Sequence, residues 1–286
     1  MSSTPSRPVV LITGCSSGIG REVARLFARR GYRVYASMRN PSADQELLAE
    51  ANAKSWALTT PILDVTSDAG VSGAVAAILA ENEGRIDIVV NNAAFYCFGA
   101  LEETTPDELR AQLETNVIGV HRVIRAVLPA MRARGDGAIV NISSTNGRTA
   151  LPMVGPYQVS KFGVEALTET LRYEVAPFGI RVACVEPGSF ETELHRKQSQ
   201  VISSTRADSP YAPLLARYRE RLGAIPRARV DAVADTIFRA GTDPNPALRW
   251  RVGPFSTLAC VVRLMVPDRI FELLIRLAFN WAPPRR

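Results

Sequence analysis

The chain has 286 residues, of which 47% are hydrophobic and 22% charged, as in a folded globular protein. Its net charge of +6 comes from 34 basic and 28 acidic residues, and the basic residues are scattered rather than interleaved with aromatic residues, which argues against nucleic-acid binding. Only two histidines and four widely spaced cysteines are present, without a CxxC pair. We therefore predict neither a metal site nor a His-based catalytic triad.

The segment before the first apolar strand is short and polar and lacks the apolar core of a signal peptide. No apolar run reaches the roughly 18 residues that would span a bilayer. We therefore expect a cytoplasmic protein, with its cysteines reduced.

Short apolar segments alternate with longer amphipathic segments, a pattern typical of repeated βαβ units around a parallel sheet. We predict strands near residues 8–13, 32–37, 56–62, 86–91, 137–143, 180–186 and 249–253. We predict helices near residues 18–30, 42–52, 68–82, 106–133, 155–176 and 230–240. The expected fold is α/β, a doubly wound parallel sheet of about seven strands with helices on both faces, of the Rossmann type.

The first strand runs into a glycine-rich turn at residues 13–20, TGCSSGIG, which opens an amphipathic helix. A strand, a glycine turn and a helix N-terminus together direct backbone N–H groups and the positive helix end toward a pyrophosphate. The first gap between the glycines is one residue longer than in the standard dinucleotide motif, and a tight turn without a ligand remains the alternative. We predict dinucleotide contacts from Gly14, Ser16, Ser17, Gly18, Ile19 and Gly20.

The end of the second strand, at residues 35–40, contains no carboxylate but does contain Arg39. A carboxylate at this position would bind the ribose hydroxyl of NAD, whereas an Arg matches the 2′-phosphate of NADP. The hydroxyls of Ser16 and Ser17 suit the same phosphate, and a solvated surface Arg is the alternative. We predict NADP(H) in preference to NAD(H).

Tyr157 and Lys161 are four residues apart in a predicted helix, so that their side chains share one face. An ammonium beside a phenol stabilises the phenolate and lowers its pKa toward neutrality. Ser144 ends the preceding strand, where ligands of open α/β sheets bind. We predict that Tyr157 exchanges a proton with a carbonyl or alcohol oxygen; a surface Tyr–Lys pair is the alternative.

The glycine turn, Ser144, Tyr157 and Lys161 together resemble the short-chain dehydrogenase/reductase family, and the resemblance spans about residues 8–195. With Arg39 and a long C-terminal part, the chain is similar to the hydroxysteroid and retinol dehydrogenase branch. The resemblance implies an oxidoreductase that transfers a hydride between a nicotinamide and a secondary alcohol or ketone.

The resemblance also implies roles for residues that the pattern alone does not single out. Asn116 corresponds to a fourth catalytic residue, which holds a water that connects the lysine to solvent. Further cofactor contacts are expected from Asp64, Val65, Asn92, Ala93, Pro187, Gly188 and Thr192. The first of these would accept the adenine amino group and the last would hold the nicotinamide carboxamide. Ala94 departs from the glycine that is usual in the family.

We expect residues 1–254 to form the cofactor-binding and catalytic domain, with residues 188–226 inserted as the family's substrate lid. The expected substrate walls are apolar and aromatic: Phe95, Tyr96, Phe98, Leu151, Met153, Val154, Ile202, Tyr211, Leu214, Leu215, Tyr218 and Leu222. They indicate a small lipophilic carbonyl or alcohol of steroid-, retinoid- or fatty-acyl-like character. The alternative is that these residues only pack the lid.

Residues 255–286 are expected to form a helical extension, with an amphipathic helix over 267–281. This extension either packs on its own domain or a partner subunit, or lies on a membrane surface. By family resemblance the fourth and fifth helices pair in a homodimer or homotetramer.

Two other functions remain open: a cofactor-binding sensor or scaffold, against which the intact Ser144, Tyr157 and Lys161 argue, and a dehydratase or epimerase on the same fold. A change in cofactor absorbance on addition of substrate would separate the oxidoreductase from both alternatives.

Overall fold

The strands and helices of the computed structural model alternate as the sequence predicts. The structure describes residues 7–40, 45–190, 199–200, 208–224, 227 and 229–279. The strands are β1 (Val9–Thr13), β2 (Arg33–Ser37), β3 (Leu58–Thr59), β4 (Ile88–Asn91), β5 (Cys97–Phe98), β6 (Gly137–Ile142), β7 (Ile180–Pro187), β8 (Ser199–Gln200) and β9 (Arg249–Val252). The helices are α1 (Gly18–Arg29), α2 (Gln45–Ala53), α3 (Asp68–Glu81), α4 (Pro106–Leu113), α5 (Gly119–Arg134), α6 (Gly155–Val175), α7 (Ala212–Ala224), α8 (Val230–Thr242), α9 (Ser256–Met265) and α10 (Asp268–Ala278).

Seven strands form one parallel sheet in the order β3-β2-β1-β4-β6-β7-β9. Alternate residues of β1 point to opposite faces of this sheet. Val10 and Ile12 belong to a core with α1 and α8 on one face, whereas Val9 and Leu11 belong to a core with α3, α5 and α6 on the other. The predicted doubly wound fold is thereby confirmed, and its strand order reverses between β1 and β4.

The structure corrects several predicted element boundaries. The predicted helix over 106–133 is interrupted, because a π-helical turn at Glu114–Ile118 separates α4 from α5. The third strand is much shorter than predicted, and Pro61, which has no N–H to donate, lies just beyond it. Helix α7, within the lid segment, was not predicted at all.

The C-terminal extension contains two helices where one was predicted. Helix α9 ends at Met265, and Val266 takes an extended conformation before Pro267, which is the N-cap of α10. The residue before a proline is disfavoured in the helical region, which explains the break. Among the described residues, no helix has both the length and the hydropathy needed to cross a bilayer.

Candidate active site

A cavity of about 570 Å³ lies at the carboxyl ends of the central strands, beside the point where the strand order reverses. Ligands of open α/β sheets bind at this position. The predicted site residues that line it are Gly14, Ser16, Ser17, Gly18, Ile19, Arg39, Val65, Asn92, Ala93, Ser144, Tyr157, Lys161, Pro187 and Gly188. Gly20, Asp64 and Asn116 are not among its lining residues, and Thr192 lies outside the described residues.

The glycine turn packs against the end of β4 without room for side chains. Gly14 has a φ of +74°, and a Cβ on it would lie 2.7 Å from the Cα of Ala93. A Cβ on Gly20 would lie 2.4 Å from the carbonyl oxygen of Gly14. The side-chain amide of Asn92 donates to the carbonyls of Thr13 and Gly14 at 2.9 and 3.1 Å. These contacts explain why glycine is required at positions 14 and 20.

The N-terminus of α1 has the properties of an anion site. Its N-cap, Ser17, makes no side-chain capping hydrogen bond within the described residues, and the first turn contains no acidic residue. The backbone N–H groups and the positive end of the helix dipole therefore face the cavity uncompensated. This arrangement fits the diphosphate of a dinucleotide.

The far end of the cavity carries a positive charge from Arg39, which is exposed at the end of β2. Nearby, the carboxylate of Asp64 accepts hydrogen bonds from the backbone N and Oγ1 of Thr66 at 2.9 and 2.8 Å. Burial raises the pKa of Asp64, but the hydrogen bonds from Thr66 and the charges of Arg39 and Arg122 outweigh it and hold the pKa below its usual value. A contact of Asp64 with adenine stays a prediction.

The three predicted catalytic side chains meet where β6 ends and α6 begins. Tyr157 and Lys161 are 6% and 4% exposed, and the Lys161 Nζ lies 5.6 Å from the centroid of the Tyr157 ring. Lys161 donates to the carbonyl of Ile142 at 2.8 Å. Ser144 donates to the carbonyl of Pro187 at 3.4 Å, and its hydroxyl is close enough to Tyr157 to act on the pKa of that phenol. A phenol, an ammonium and a hydroxyl thus share one buried corner of the cavity.

The pKa values in this corner differ from the expectation drawn from the sequence. Burial raises the pKa of Tyr157 to about 12, although the hydrogen bond from Ser144 lowers it in part. Burial also lowers the pKa of Lys161 to about 8, against the charges of Cys184 and Glu165. The expected lowering of the tyrosine pKa by Lys161 is therefore not found, because desolvation of the phenolate dominates.

Asn116 lies in the π-helical turn and is 1% exposed. Its amide accepts from the backbone N of Phe95 and donates to the carbonyl of Phe95, both at 3.0 Å, and it also donates to the Ser160 hydroxyl at 3.0 Å. Asn116 therefore joins the loop after β4 to the helix that carries Tyr157. π-Helical turns are frequent at functional sites. Its predicted role in holding a water stays a prediction.

Gln112 supports the same loop and was missed by the sequence analysis. It is fully buried, accepts from the backbone N of Cys97 and donates to the carbonyl of Phe95, each at 2.8 Å. The only signal in the sequence was a polar residue near the end of a predicted helix. Such residues are common on helix surfaces, so this one did not stand out.

A buried ionic network behind Lys161 was also missed. Arg249 of β9 contacts Glu165 of α6 at 3.0 Å and Glu186 of β7 at 3.4 Å, and Arg251 contacts Glu186 at 2.9 Å. Glu186 directly precedes Pro187 and Gly188, which line the cavity, so the network fixes α6 relative to that segment. No local pattern could reveal it, because Arg249 and Glu165 are 84 residues apart in sequence.

Most of the predicted substrate-wall residues pack in an aromatic cluster beside Tyr157, whereas Phe95 lines the cavity itself. The rings of Tyr96 and Tyr157 have centroids 4.6 Å apart. The buried members of this aromatic cluster are Tyr96, Phe98, Ala100, Met153, Val154, Tyr157, Leu215, Tyr218 and Phe279. Phe279, which directly follows α10, was not predicted to belong here. Ile202 lies outside the described residues.

This geometry, a parallel sheet with a glycine turn and a Ser–Tyr–Lys group at one cavity, defines a dinucleotide-dependent oxidoreductase fold. The family model of the short chain dehydrogenases matches residues 8–202. The chain belongs to the short-chain dehydrogenase/reductase family, and it is an oxidoreductase that acts on CH–OH groups.

Individual relatives agree with this assignment. The chain is 36% identical to a 3-ketodihydrosphingosine reductase of Bacteroides thetaiotaomicron, over 95% of this chain and 97% of that protein. It is 36% identical to estradiol 17-beta-dehydrogenase 1 of Rattus norvegicus, over 87% of this chain and 73% of that protein. Hydroxysteroid dehydrogenases are thus among its relatives, as the sequence indicates.

Solved structures show the same fold. A short-chain dehydrogenase from Streptomyces avermitilis superposes with a TM-score of 0.83 at 35% identity, covering 95% of this chain and 96% of that one. A gluconate 5-dehydrogenase from Burkholderia cenocepacia, in complex with NADP and tartrate, superposes with a TM-score of 0.72 at 29% identity, covering 88% and 95%.

Proposed function

We propose that this protein is an NADP(H)-dependent reductase of lipophilic ketones, in which Tyr157, Lys161, Ser144 and Asn116 are the catalytic residues. The observation that carries the proposal is the buried Tyr157, with Lys161 and Ser144 beside it, at the same cavity as the glycine turn. In this proposal residues 1–254 bind the cofactor and perform catalysis, and residues 188–226 cover the substrate.

Tyr157 acts as the general acid. Its raised pKa keeps the phenol protonated at neutral pH, which suits donation of a proton to a carbonyl oxygen. Ser144 donates a hydrogen bond to the same oxygen, and the ammonium of Lys161 stabilises the phenolate as the proton leaves. The bound cofactor supplies the hydride that reduces the carbonyl carbon.

The cofactor would be held by residues on three sides of the cavity. The turn at Gly14 and the N-terminus of α1 bind the diphosphate, and Arg39, Ser16 and Ser17 bind the 2′-phosphate. The remaining contacts come from Gly18, Ile19, Gly20, Asp64, Val65, Asn92, Ala93, Tyr157, Lys161, Pro187, Gly188 and Thr192. The NADP in a structural relative supports this choice of dinucleotide.

The apolar and aromatic residues beside Tyr157 support a lipophilic substrate of steroid-, retinoid- or fatty-acyl-like character. The test is a spectrophotometric screen of such ketones with NADPH and NADH in parallel. We expect NADPH oxidation that depends on the ketone and is lost in Tyr157→Phe. Conversion of substrate without a change in NADPH absorbance would instead support a dehydratase or epimerase. Cofactor binding without any turnover would support a sensor.

We also propose a peripheral contact of residues 255–286 with an anionic lipid surface. Helix α10 has no buried residue, and large apolar side chains on both helices are more than half exposed: Leu258, Leu264, Met265, Ile270, Leu273 and Leu277. The same helices carry Arg263, Arg269 and Arg276, and an apolar face beside cationic side chains suits a lipid headgroup layer.

Flotation with vesicles of anionic and of neutral lipid tests this contact. We expect the wild type to float with anionic vesicles, and Leu264→Glu combined with Leu277→Glu to remain in solution. Phe178→Glu, an exposed apolar residue on another surface, is the control and should float as the wild type does. Equal flotation of both variants would contradict the proposal, and a dimer that the double variant breaks would assign the surface to a second copy.

A homodimer or homotetramer through α5 and α6 is the remaining part of the proposal. Val159, Phe162 and Tyr173 of α6 and Ile118 before α5 are exposed apolar side chains. Light scattering should give a multiple of the chain mass, and Phe162→Glu should reduce it. A monomeric wild type would contradict this part alone.

A further inference from the structure

A buried carboxylate lies one helical turn beyond Lys161 on the same helix. Glu165 of α6 is 4% exposed, as Lys161 is. Side chains four residues apart in an α-helix lie on one face, with their Cβ atoms about 6 Å apart. Burial lowers the pKa of Lys161 to about 8, and Cys184 and Glu165 oppose this shift. The described hydrogen bond of Lys161 goes to the carbonyl of Ile142, so Glu165 acts on the ammonium through its charge.

A tight turn packs over this stretch of α6. Gly147 is buried and ends the short helical turn that Ser144 caps. A Cβ on Gly147 would lie 2.9 Å from the carbonyl oxygen of Lys161 and 3.1 Å from the Cγ of Glu165. The Ser143 hydroxyl donates to the same carbonyl at 3.5 Å. The two charges are therefore packed under protein atoms, where the effective dielectric constant is lower than in water and their attraction is stronger.

Two strands of the sheet hold the Glu165 carboxylate in place. Its Oε2 accepts from the Nε of Arg249 of β9 at 3.0 Å, and its Oε1 accepts from the Sγ of Cys184 of β7 at 3.2 Å. Because both oxygens are bonded to separate strands, the carboxylate has a fixed position relative to the helix. Its charge therefore acts on Lys161 from a constant place.

Glu165 supplies the negative charge that the Cys184 thiol cannot. Burial, and then the charge of Glu165, raise the pKa of Cys184 well above its usual value, so it stays a neutral thiol near pH 8. Glu186 is also buried, but it pairs with both arginines of β9, and burial followed by repulsion from Glu165 raises its pKa. The other titratable or charged groups of the elements around this network are Arg148, Tyr157, Glu169, Arg249, Arg251 and Cys260.

We propose that Glu165 is a positioning residue for proton transfer, whose buried carboxylate keeps Lys161 in its ammonium form while Tyr157 gives its proton to the carbonyl oxygen. Without a charged Lys161, the phenolate that forms on Tyr157 would have no cation beside it. This inference rests on the proposed function, because it takes Tyr157 as the proton donor.

The direct test is an NMR titration of Lys161 in the full chain. The lysines of the chain are Lys54, Lys161 and Lys197, so carbon-13 labelling of lysine gives a simple spectrum, from which Lys161→Arg removes one signal. That signal should titrate near pH 8 in the wild type. Glu165→Gln keeps the size of the side chain and an accepting oxygen but removes the charge, and we expect the midpoint to fall by about one pH unit.

Glu169→Gln is the matched control. Glu169 pairs with the same Arg249 at 2.6 Å, but its side chain is 42% exposed, and it lies about 12 Å along the helix from Lys161. Its replacement should leave the Lys161 midpoint unchanged, and so should Cys184→Ser, which keeps a donor to Glu165. An equal shift in Glu169→Gln would overturn the inference, because loss of any ion pair to Arg249 would then explain it.

Ketone reduction with NADPH gives a second measurement. In Glu165→Gln the falling limb of kcat/KM should move down by the same pH unit. The value of kcat/KM should then be about fivefold below the wild type at pH 8 but nearly equal to it at pH 6. A loss of the same size at both pH values would assign Glu165 a structural role only and overturn the inference.

The titration separates this inference from the proposed function. If the wild type reduces no ketone, the reductase assignment fails, and the Lys161 midpoint alone decides the role of Glu165. An unchanged midpoint in Glu165→Gln overturns the inference whether or not ketones are reduced. If that variant does not fold, Glu165→Met combined with Arg249→Met removes the ion pair without leaving an unpaired partner in it. The same fall in the midpoint is expected there, and its absence overturns the inference.

Discussion

The glycine turn, on the proposed cofactor side of Tyr157, and the aromatic cluster, on the proposed substrate side, are built in different ways. On the cofactor side, backbone lies against backbone, with the turn at Gly14 in contact with Ala93 and secured by Asn92. On the proposed substrate side, aromatic side chains from remote segments, such as Tyr96, Tyr218 and Phe279, pack together. At Gly14 and Gly20 the glycine turn has no room for a Cβ, whereas the aromatic cluster is held together by side chains. Side chains can be changed by single substitutions while the backbone turn is kept, which suits a fold that hosts many functions.

The largest expected effect comes from Tyr157, which lies between the glycine turn and the aromatic cluster. Its replacement tests proton transfer separately from cofactor binding. Tyr157→Phe removes the proton donor, and we expect kcat to fall by about a thousandfold, within the range of general acid catalysis. NADPH binding, measured by fluorescence titration, should stay within about twofold of the wild type. Residual turnover near the wild-type rate would remove Tyr157 from its proposed role.

The next largest effect should come from breaking the cofactor side. In Gly14→Ala the new Cβ meets the Cα of Ala93 at 2.7 Å, at a φ of +74°. Strain of about 1–3 kcal/mol, together with a displaced turn, should weaken NADPH binding by about a hundredfold. Gly73→Ala is the control, because nothing lies within 4 Å of its added Cβ, and it should bind NADPH normally. Normal binding by Gly14→Ala would contradict the close packing of this turn.

Arg39→Ala tests the choice of dinucleotide on the same side. Loss of a hydrogen bond to a charged group costs about 1.5–3 kcal/mol, so Kd for NADPH should rise roughly tenfold to a hundredfold while Kd for NADH barely changes. Arg110→Ala, an exposed arginine on α4, is the control. An equal rise in Kd for both cofactors would mean that Arg39 does not bind the 2′-phosphate.

The pH dependence of ketone reduction should follow the deprotonation of Lys161. Its pKa is lowered by burial to about 8, so the ammonium loses its proton as the pH rises through 8. The free-enzyme kcat/KM should therefore fall by about tenfold between pH 7 and pH 9. Lys161→Arg keeps its charge, and its falling limb should move to higher pH. A limb that is unchanged in Lys161→Arg would assign the titration to another group.

The smallest effect should come from the loop between the two sides. Gln112→Leu leaves the backbone groups of Phe95 and Cys97 without their buried partner, which should cost about 1–3 kcal/mol of unfolding free energy. Because this loop carries Tyr96, KM for ketones should rise a few-fold with little change in kcat. Denaturant unfolding measures the first effect and steady-state kinetics the second. An unchanged KM would mean that Gln112 contributes only to the stability of the fold.

Features set by neighbouring residues could be predicted from the sequence alone. The alternation of strands and helices, the glycine turn before α1, and Tyr157 with Lys161 on one helix face all follow from local periodicity and spacing. Asn116 was reached only through family resemblance. The π-helical turn that contains it breaks the helix predicted over 106–133, and no propensity marks such a turn.

The sequence by itself therefore determined the fold class, the family and the candidate proton donor, because each depends on residues a few positions apart. Only the tertiary structure decided that Arg249 pairs with Glu165, that Tyr218 meets Tyr96, and that Phe279 stacks on Tyr218. It also reversed the expected shift in the pKa of Tyr157, since burial depends on the whole packed domain. Contacts between distant segments, and the desolvation that they cause, are properties of the packed chain and leave no local pattern.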